Sequence, residues 1–542
     1  MGFLVGNRRR AGGGCCWLTI TTFLSGFTVY PRRLLAAGER MALSYIIVVL
    51  ACTAYYIHRY YKNVARYPPG PTPLPFIGNL LQIDKVNTHK CLERMSATYG
   101  PVFTVFLPRP TVIITKLPEI KEALIKKGDV FAGRPNSPID TITSTFENGG
   151  IIFSWNELWR DQRRYAMHTL RNFGMGRNVM EEKIMSSVAT LYGQVDELAH
   201  QDKADMNWPL QLCVGNIINE LLFGYHFAVN DCAKSVYLIE SVEKVFFRLR
   251  NRISVLLIQE YPWMRHLPVV GWQGYGEIRE DFMKLIDFAS EEITEHKKDL
   301  DYDAEPSTFT AAYLQEIRKR EQNGNTDSYS ELQLANVLTD FWSAGMETTA
   351  TTMRWAIVLL VRHPEIQTKL QKEIDDVIGP NRQPKMADKT NMPYTSAVLM
   401  ELQRKANIVP LNVVHKTLAD TEVANLPIPA NTTVLAQISS VLDDPESFPQ
   451  PERFNPDRFL NADGKTFNAT AVDHLVPFSL GKRQCAGESL ARMELFLILV
   501  ALMQRYSFSV PVGGQLPNMM PVYGVTQVPL PYECKITMRH QD

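Results

Sequence analysis

The sequence predicts a mainly α-helical protein with a small β portion, tethered by one apolar segment near its start. Three observations predict this. Residues 331–361 and 488–506 run without proline and carry apolar side chains at three- and four-residue spacing, long enough for core helices. Strand-like pieces are short: residues 102–107 and 111–115 suggest a hairpin around Pro108-Arg109-Pro110, and residues 432–438 with the C-terminal segments add more. Residues 42–57 hold no charge, and as a helix they cover about 24 Å, a little short of a hydrocarbon core.

Composition supports a large buried core, with 45% hydrophobic and 21% charged residues. Lysine plus arginine equals aspartate plus glutamate, 57 against 57, so no global field draws in nucleic acid. The eight cysteines are scattered without a C-x-x-C pair, which suits a reducing compartment and argues against structural zinc.

Taken in order, residues 1–40 form a basic extension with Arg8, Arg9, Arg10, Arg32 and Arg33 and no acid before Glu39. It reads as a transit peptide or as a dispensable segment ahead of an alternative start at Met41. Residues 41–66 read as a membrane anchor with a basic stop at His58, Arg59, Lys62 and Arg66. The positive-inside rule then keeps all that follows in the cytosol. A proline-rich hinge, residues 68–75, cannot continue the helix. Beyond it there is no second linker and no repeat, so residues 67–542 are expected to be one catalytic domain.

The strongest chemical signal is Phe478-Ser479-Leu480-Gly481-Lys482-Arg483-Gln484-Cys485-Ala486-Gly487, just before a helix. A cysteine there gains from the helix dipole and free N–H donors, which favour a thiolate able to ligate iron. Gly481 and Gly487 would let backbone approach a flat macrocycle, Phe478 would shield the sulfur, and Arg483 could meet a carboxylate such as a haem propionate. The other seven cysteines read as small buried hydrophobes.

This loop matches F-x-x-G-x-R-x-C-x-G in full and so resembles the cytochrome P450 family, of a microsomal drug- and lipid-metabolising type. The resemblance runs from the hinge to the C-terminus and implies haem b with Cys485 as the axial metal ligand. Three further motifs agree. Glu401 and Arg404 form E-x-x-R on one helix face, and Pro451-Glu452-Arg453-Phe454 resembles the segment that supplies a third partner, so Glu401, Arg404 and Arg453 are expected to lock the core. Trp159 and Arg163 match W-x-x-x-R, implying an indole and a guanidinium on one propionate, with His415 as another neighbour. Ala344-Gly345-Met346-Glu347-Thr348-Thr349 puts an acid and hydroxyls in an apolar helix centre. By resemblance Gly345 leaves room for dioxygen, while Thr348 and Glu347 form a proton-delivery pair.

The sequence departs from the family at Gln484, where an aliphatic residue is common, and in the polar run Gln403-Arg404-Lys405-Ala406. The expected pocket draws on residues 131–155, on Phe341, Trp342 and Ala344, on Val409 and Val413, and on Val525, with core packing expected for half of them. Its apolar character implies xenobiotics, fatty acids or eicosanoids, or steroids as substrates. A monooxygenase of this kind takes electrons from NADPH through a flavoprotein reductase, with cytochrome b5 as a second donor, at the endoplasmic reticulum membrane. Mitochondrial targeting by residues 1–40 is the alternative. No nicotinamide fingerprint or flavin domain is present in the chain, so the reductase is separate; Lys482, Arg160 and Arg164 are expected to steer it. Two other functions compete: a haem-thiolate isomerase of peroxides, and a haem-binding protein without turnover. Neither needs the Glu347–Thr348 pair.

Overall fold

The computed structural model describes residues 29–135, 142–173, 178–325 and 328–540. Residues 1–28 of the extension and 136–141 of the expected pocket loop lie outside them. The chain divides into two units, Met1–Ala65 and Arg66–Asp542.

In the first unit a helix runs Val29–Val64. Its stretch Met41–Val64, with mean hydropathy 1.7 and none of it buried, is long and apolar enough to cross a membrane. Helical rise gives that stretch about 36 Å, more than the charge-free run alone. The difference arises because the basic residues at 58, 59 and 62 are tolerated within the helix, and the break comes only as the prolines approach.

The second unit is built around two long helices. Glu331–Arg362, here the distal helix, is capped by the Ser330 hydroxyl, which accepts from the Gln333 N–H. Glu488–Arg505, the proximal helix, is buried on nearly every side from Met493 to Gln504, as an all-round apolar helix must be. Helix Pro393–Ala406 packs against both.

The main sheet has four strands in the order Val102–Phe106, Pro110–Ile114, Thr433–Ala436, His415–Lys416. The first two form the expected antiparallel hairpin, and Thr433–Ala436 adds in parallel with Thr111 opposite Thr433. The C-terminal segments do not join this sheet. Lys535–Met538 pairs with Tyr506–Ser509, and Pro521–Tyr523 with Gln527–Pro529 as a separate hairpin.

Candidate functional site: a cysteine loop beneath the distal helix

Cys485 lies between a 3-10 turn, Gly481–Arg483, and the start of the proximal helix, and its N–H donates to Phe478 O at 2.9 Å. The sulfur sits deep in the protein yet keeps accessible surface, so it faces an internal space. A Cβ on Gly487 would meet nothing nearer than that sulfur, at 4.0 Å, which leaves room for a flat group. Gly481 is required by a close approach of backbone. It has φ +74°, and a Cβ there would stand 1.8 Å from Leu124 O, so its freedom lets the loop close on neighbouring backbone.

Opposing influences act on the Cys485 thiol. Burial pushes it up, against the Gly487 and Glu488 N–H groups and the Arg163 guanidinium, which pull it down.

Beside the loop three guanidinium groups converge. Arg483 donates to Ala132 O (2.8 Å) and Ser154 O (2.7 Å) and stacks on the Trp159 ring at 3.6 Å. Arg163 donates to Gln484 O at 2.5 Å. Arg134, which sequence reasoning missed, is 4% exposed and donates to Ile152 O (3.0 Å) and Val414 O (2.6 Å). Its only signal was an arginine bracketed by Gly133 and Pro135 in an apolar stretch. Among the described residues no carboxylate pairs with any of the three. Burial first, then mutual repulsion, pushes Arg134 down to about 9 and Arg483 down to about 7. The Trp159 Nε1–H is buried without a partner among the described residues. Buried charges need compensation, so this cluster is short of an anion. A haem, with two carboxylates on one edge and an iron for the sulfur, fits both the cluster and the cysteine beside it.

His415 is close by but is not a cation. Its Nδ1 stands 2.8 Å from Phe131 O and must donate to that carbonyl, while burial and the Arg134 charge push the ring down to about 3.

Behind the loop, Arg404 and Glu401 are 0% exposed and joined twice, at 2.7 and 2.8 Å. Arg404 also donates to Leu442 O, Pro451 O and Arg453 O, tying helix Pro393–Ala406 to residues 442–458. Here the expectation for Arg453 is corrected. Its carbonyl takes part but its side chain is exposed, and the third partner is Arg458, whose Nε lies 3.1 Å from Glu401. The missed signal was a second P-x-R-F, Pro456-Asp457-Arg458-Phe459, five residues on; only this copy falls where the chain turns back over Glu401.

On the distal helix the half-buried Thr348 hydroxyl donates one turn back to Ala344 O at 2.8 Å, and Thr352 donates to Thr348 O at 2.8 Å. Both hydroxyls keep lone pairs that can accept from water. Glu347 does not meet Thr348; its Oε1 accepts from Thr351 (3.1 Å) and Thr526 (3.0 Å). Burial and the Glu243 charge push Glu347 up to about 7. A carboxyl balanced there both holds and yields a proton near neutrality.

Three expected pocket or oxygen-side residues make packing contacts. The side of Gly345 where a Cβ would stand meets Ile218 Cδ1 at 2.7 Å, so the glycine admits helix Asn207–Leu222. Trp342 is 2% exposed against Phe288, and Phe341 meets Phe309 edge-on, which makes both core side chains. Ala344, Val409 and Val413 stay half-buried, and Val525 is exposed at the tip of the C-terminal hairpin. Asp340, also missed, accepts from the Ile151 (2.7 Å) and Ile152 (3.0 Å) N–H groups and fixes the stretch that feeds carbonyls to Arg134 and Arg483.

The expected docking charges are partly neutralised. Lys482 pairs with Asp129, and Arg160 pairs with Glu157 and Asp129, so of the three only Arg164 is exposed without an ion-pair partner among the described residues.

A cysteine loop, a buried anion-seeking cluster and a distal helix bearing an acid and hydroxyls define a haem-thiolate protein. Comparison with known proteins agrees. A family model described as cytochrome P450 matches residues 68–536. Human cytochrome P450 2D6 is 36% identical over 496 residues, covering 91% of this chain and 97% of that protein. Mouse cytochrome P450 2C44 is 36% identical over 507 residues (92% and 98%), and rat cytochrome P450 2D1 37% identical over 512 residues (92% and 97%). The chain belongs to the cytochrome P450 family, and is a haem monooxygenase whose iron takes a cysteine thiolate.

Proposed function

We propose that Cys485 is the axial ligand of haem b and that Arg134, Arg163, Arg483 and the Trp159 indole hold its propionates, with neutral His415 beside them. The observation that carries this is the carboxylate-free guanidinium cluster packed against the cysteine loop. When bound, the haem supplies an iron able to activate dioxygen.

The chain's own groups bind, orient and move protons. Glu401, Arg404 and Arg458 brace the segment behind the loop, and Phe478, with Arg492 over its ring at 5.0 Å, accepts the Cys485 N–H through its carbonyl and so helps to shape the loop. Thr348 orients water on the distal side and Glu347 exchanges the proton. Ala344, Val409, Val413 and Val525 present apolar surface to the substrate. That surface suits small apolar molecules such as xenobiotics, fatty acids or eicosanoids and steroids, into which one oxygen atom of O2 is inserted. Electrons come from NADPH through a separate flavoprotein reductase, with cytochrome b5 as a second donor.

Residues 67–542 form the catalytic domain, cytosolic and anchored in the endoplasmic reticulum membrane by residues 41–66. Exposed apolar side chains support membrane contact: Phe76, Leu81, Trp263, Val269 and Trp272 are each more than half exposed, and the Tyr261 hydroxyl donates to Phe76 O at 2.8 Å, joining the segments that carry Phe76 and Trp263.

The test is Cys485→Ser in the full chain, reduced and mixed with carbon monoxide. Serine is far too basic to replace a thiolate at neutral pH, so the thiolate-type spectrum is expected to vanish. Its retention refutes the ligand assignment.

A further inference from the structure

Glu347 lies where the distal helix meets the C-terminal hairpin. Its Oε1 is shared by two hydroxyls, Thr351 at 3.1 Å and Thr526 at 3.0 Å, and its Oε2 is buried without a partner among the described residues. The two hydroxyls are not equivalent. Thr351 sits one turn along the same helix and moves with Glu347. Thr526, 2% exposed, comes from another part of the chain, and its place is set by bonds on both sides. The Val525 N–H donates to Phe246 O (3.2 Å) and the Gln527 N–H to Ile408 O (2.8 Å). Trp355 Nε1 donates to Gln527 O (2.9 Å), and Asn251 holds Tyr523 O (2.6 Å). The hairpin tip is thus fastened to helix Ala233–Asn251, to the distal helix and to the loop after helix Pro393–Ala406. Its neighbour Val525 is 40% exposed at the same tip.

We propose that Thr526 is a positioning residue for proton delivery: its hydroxyl holds the Glu347 carboxyl towards the C-terminal hairpin, so the readiness of Glu347 to give up a proton depends on how that hairpin is seated. The inference rests on the proton-exchanging role proposed for Glu347.

A hydroxyl donated to a carboxylate favours the ionised form. Without it, Oε1 keeps only Thr351 and the acid holds its proton more tightly. The charged groups acting on this carboxyl are Glu243, on helix Ala233–Asn251, which favours protonation, and Arg354, two turns along the distal helix, which opposes it. Neither is removed by a change at residue 526. A substrate that shifts the Val525 tip therefore alters the proton affinity of Glu347 without touching it.

The experiment compares Thr526→Val, which keeps the shape and drops the hydroxyl, with Thr526→Ser, which keeps the hydroxyl. In the full-length haem-loaded protein the protonated Glu347 carboxyl is followed by infrared difference spectroscopy against pH, its band identified by loss in Glu347→Gln. Thr526→Val is expected to raise the titration midpoint by about one pH unit, a tenfold gain in proton affinity, and to lower product formed per NADPH. Thr526→Ser is expected to restore both, and the carbon monoxide spectrum should stay unchanged in both variants. An unmoved midpoint in Thr526→Val overturns the inference, and so does an equal shift in the Val and Ser variants, which would assign the effect to packing. Unchanged product per NADPH in Glu347→Gln instead overturns the role given to Glu347 itself.

Discussion

Replacing Arg458 with alanine separates the two P-x-R-F copies. The Arg458 side chain is 7% exposed and 3.1 Å from a Glu401 carboxylate that is itself 0% exposed. At an effective dielectric near 20 the attraction at that distance is about 5 kcal/mol. Desolvation offsets part of it, and Glu401 keeps Arg404 and the Asn455 N–H, so the net loss falls to about 2–3 kcal/mol, the range for a charge-assisted bond. Unfolding entropy scales with length to about 1 kcal/mol per degree for a chain this size, so the thermal midpoint should fall by about 2–3 °C. Arg453→Ala removes an exposed side chain and leaves the carbonyl that Arg404 uses; its cost should stay within about 0.5 kcal/mol. Calorimetry on the detergent-solubilised full chain reads both. Equal losses, or a larger one for Arg453→Ala, would refute the assignment of Arg458 as the third partner.

Thr348→Ala should keep haem content, the carbon monoxide spectrum and substrate affinity while diverting NADPH electrons from product to released hydrogen peroxide; an unchanged product-to-NADPH ratio removes the role given to that hydroxyl. Glu494, 1% exposed and accepting from Thr349 at 2.9 Å, is pushed by burial up to about 8 from 4.5. Because the folded state binds this proton more tightly than the unfolded one, the carboxyl's stabilising contribution is complete below about 4.5 and is lost as pH rises towards about 8. Glu494→Gln should therefore flatten the fall in thermal midpoint across that interval, and a slope equal to that of the unmodified chain refutes the burial argument.

The helices and the first hairpin were legible because their signals are local: apolar spacing over residues 331–361, and two strand-like pieces around Pro108-Arg109-Pro110. The cysteine loop was legible because ten consecutive residues carry it. Contacts between distant segments were not legible. At Gly481 and Gly345 glycine advertises close approach without saying to what, and the protein partners, Leu124 O and Ile218, are remote in sequence. Two residues before Ala344, Trp342 stands about 200° around the helix and so turns into the core, whereas Phe341, three residues before it, shares its face and is held there by Phe309. Arg134, Asp340 and Thr526 act through backbone carbonyls, amides or a single hydroxyl, and such partners leave no pattern in a lone sequence.

The Asp340 clamp has a thermodynamic corollary. One short stretch, residues 150–154, gives its N–H groups to the distal helix and its carbonyls to Arg134 and Arg483. In the proposed arrangement, a small molecule that orders this stretch also orders the guanidinium groups that would hold the haem. By reciprocity of binding free energies, haem retention must then rise by the same factor by which haem tightens that molecule's own binding. A chain starved of substrate would be the one that loses its prosthetic group first.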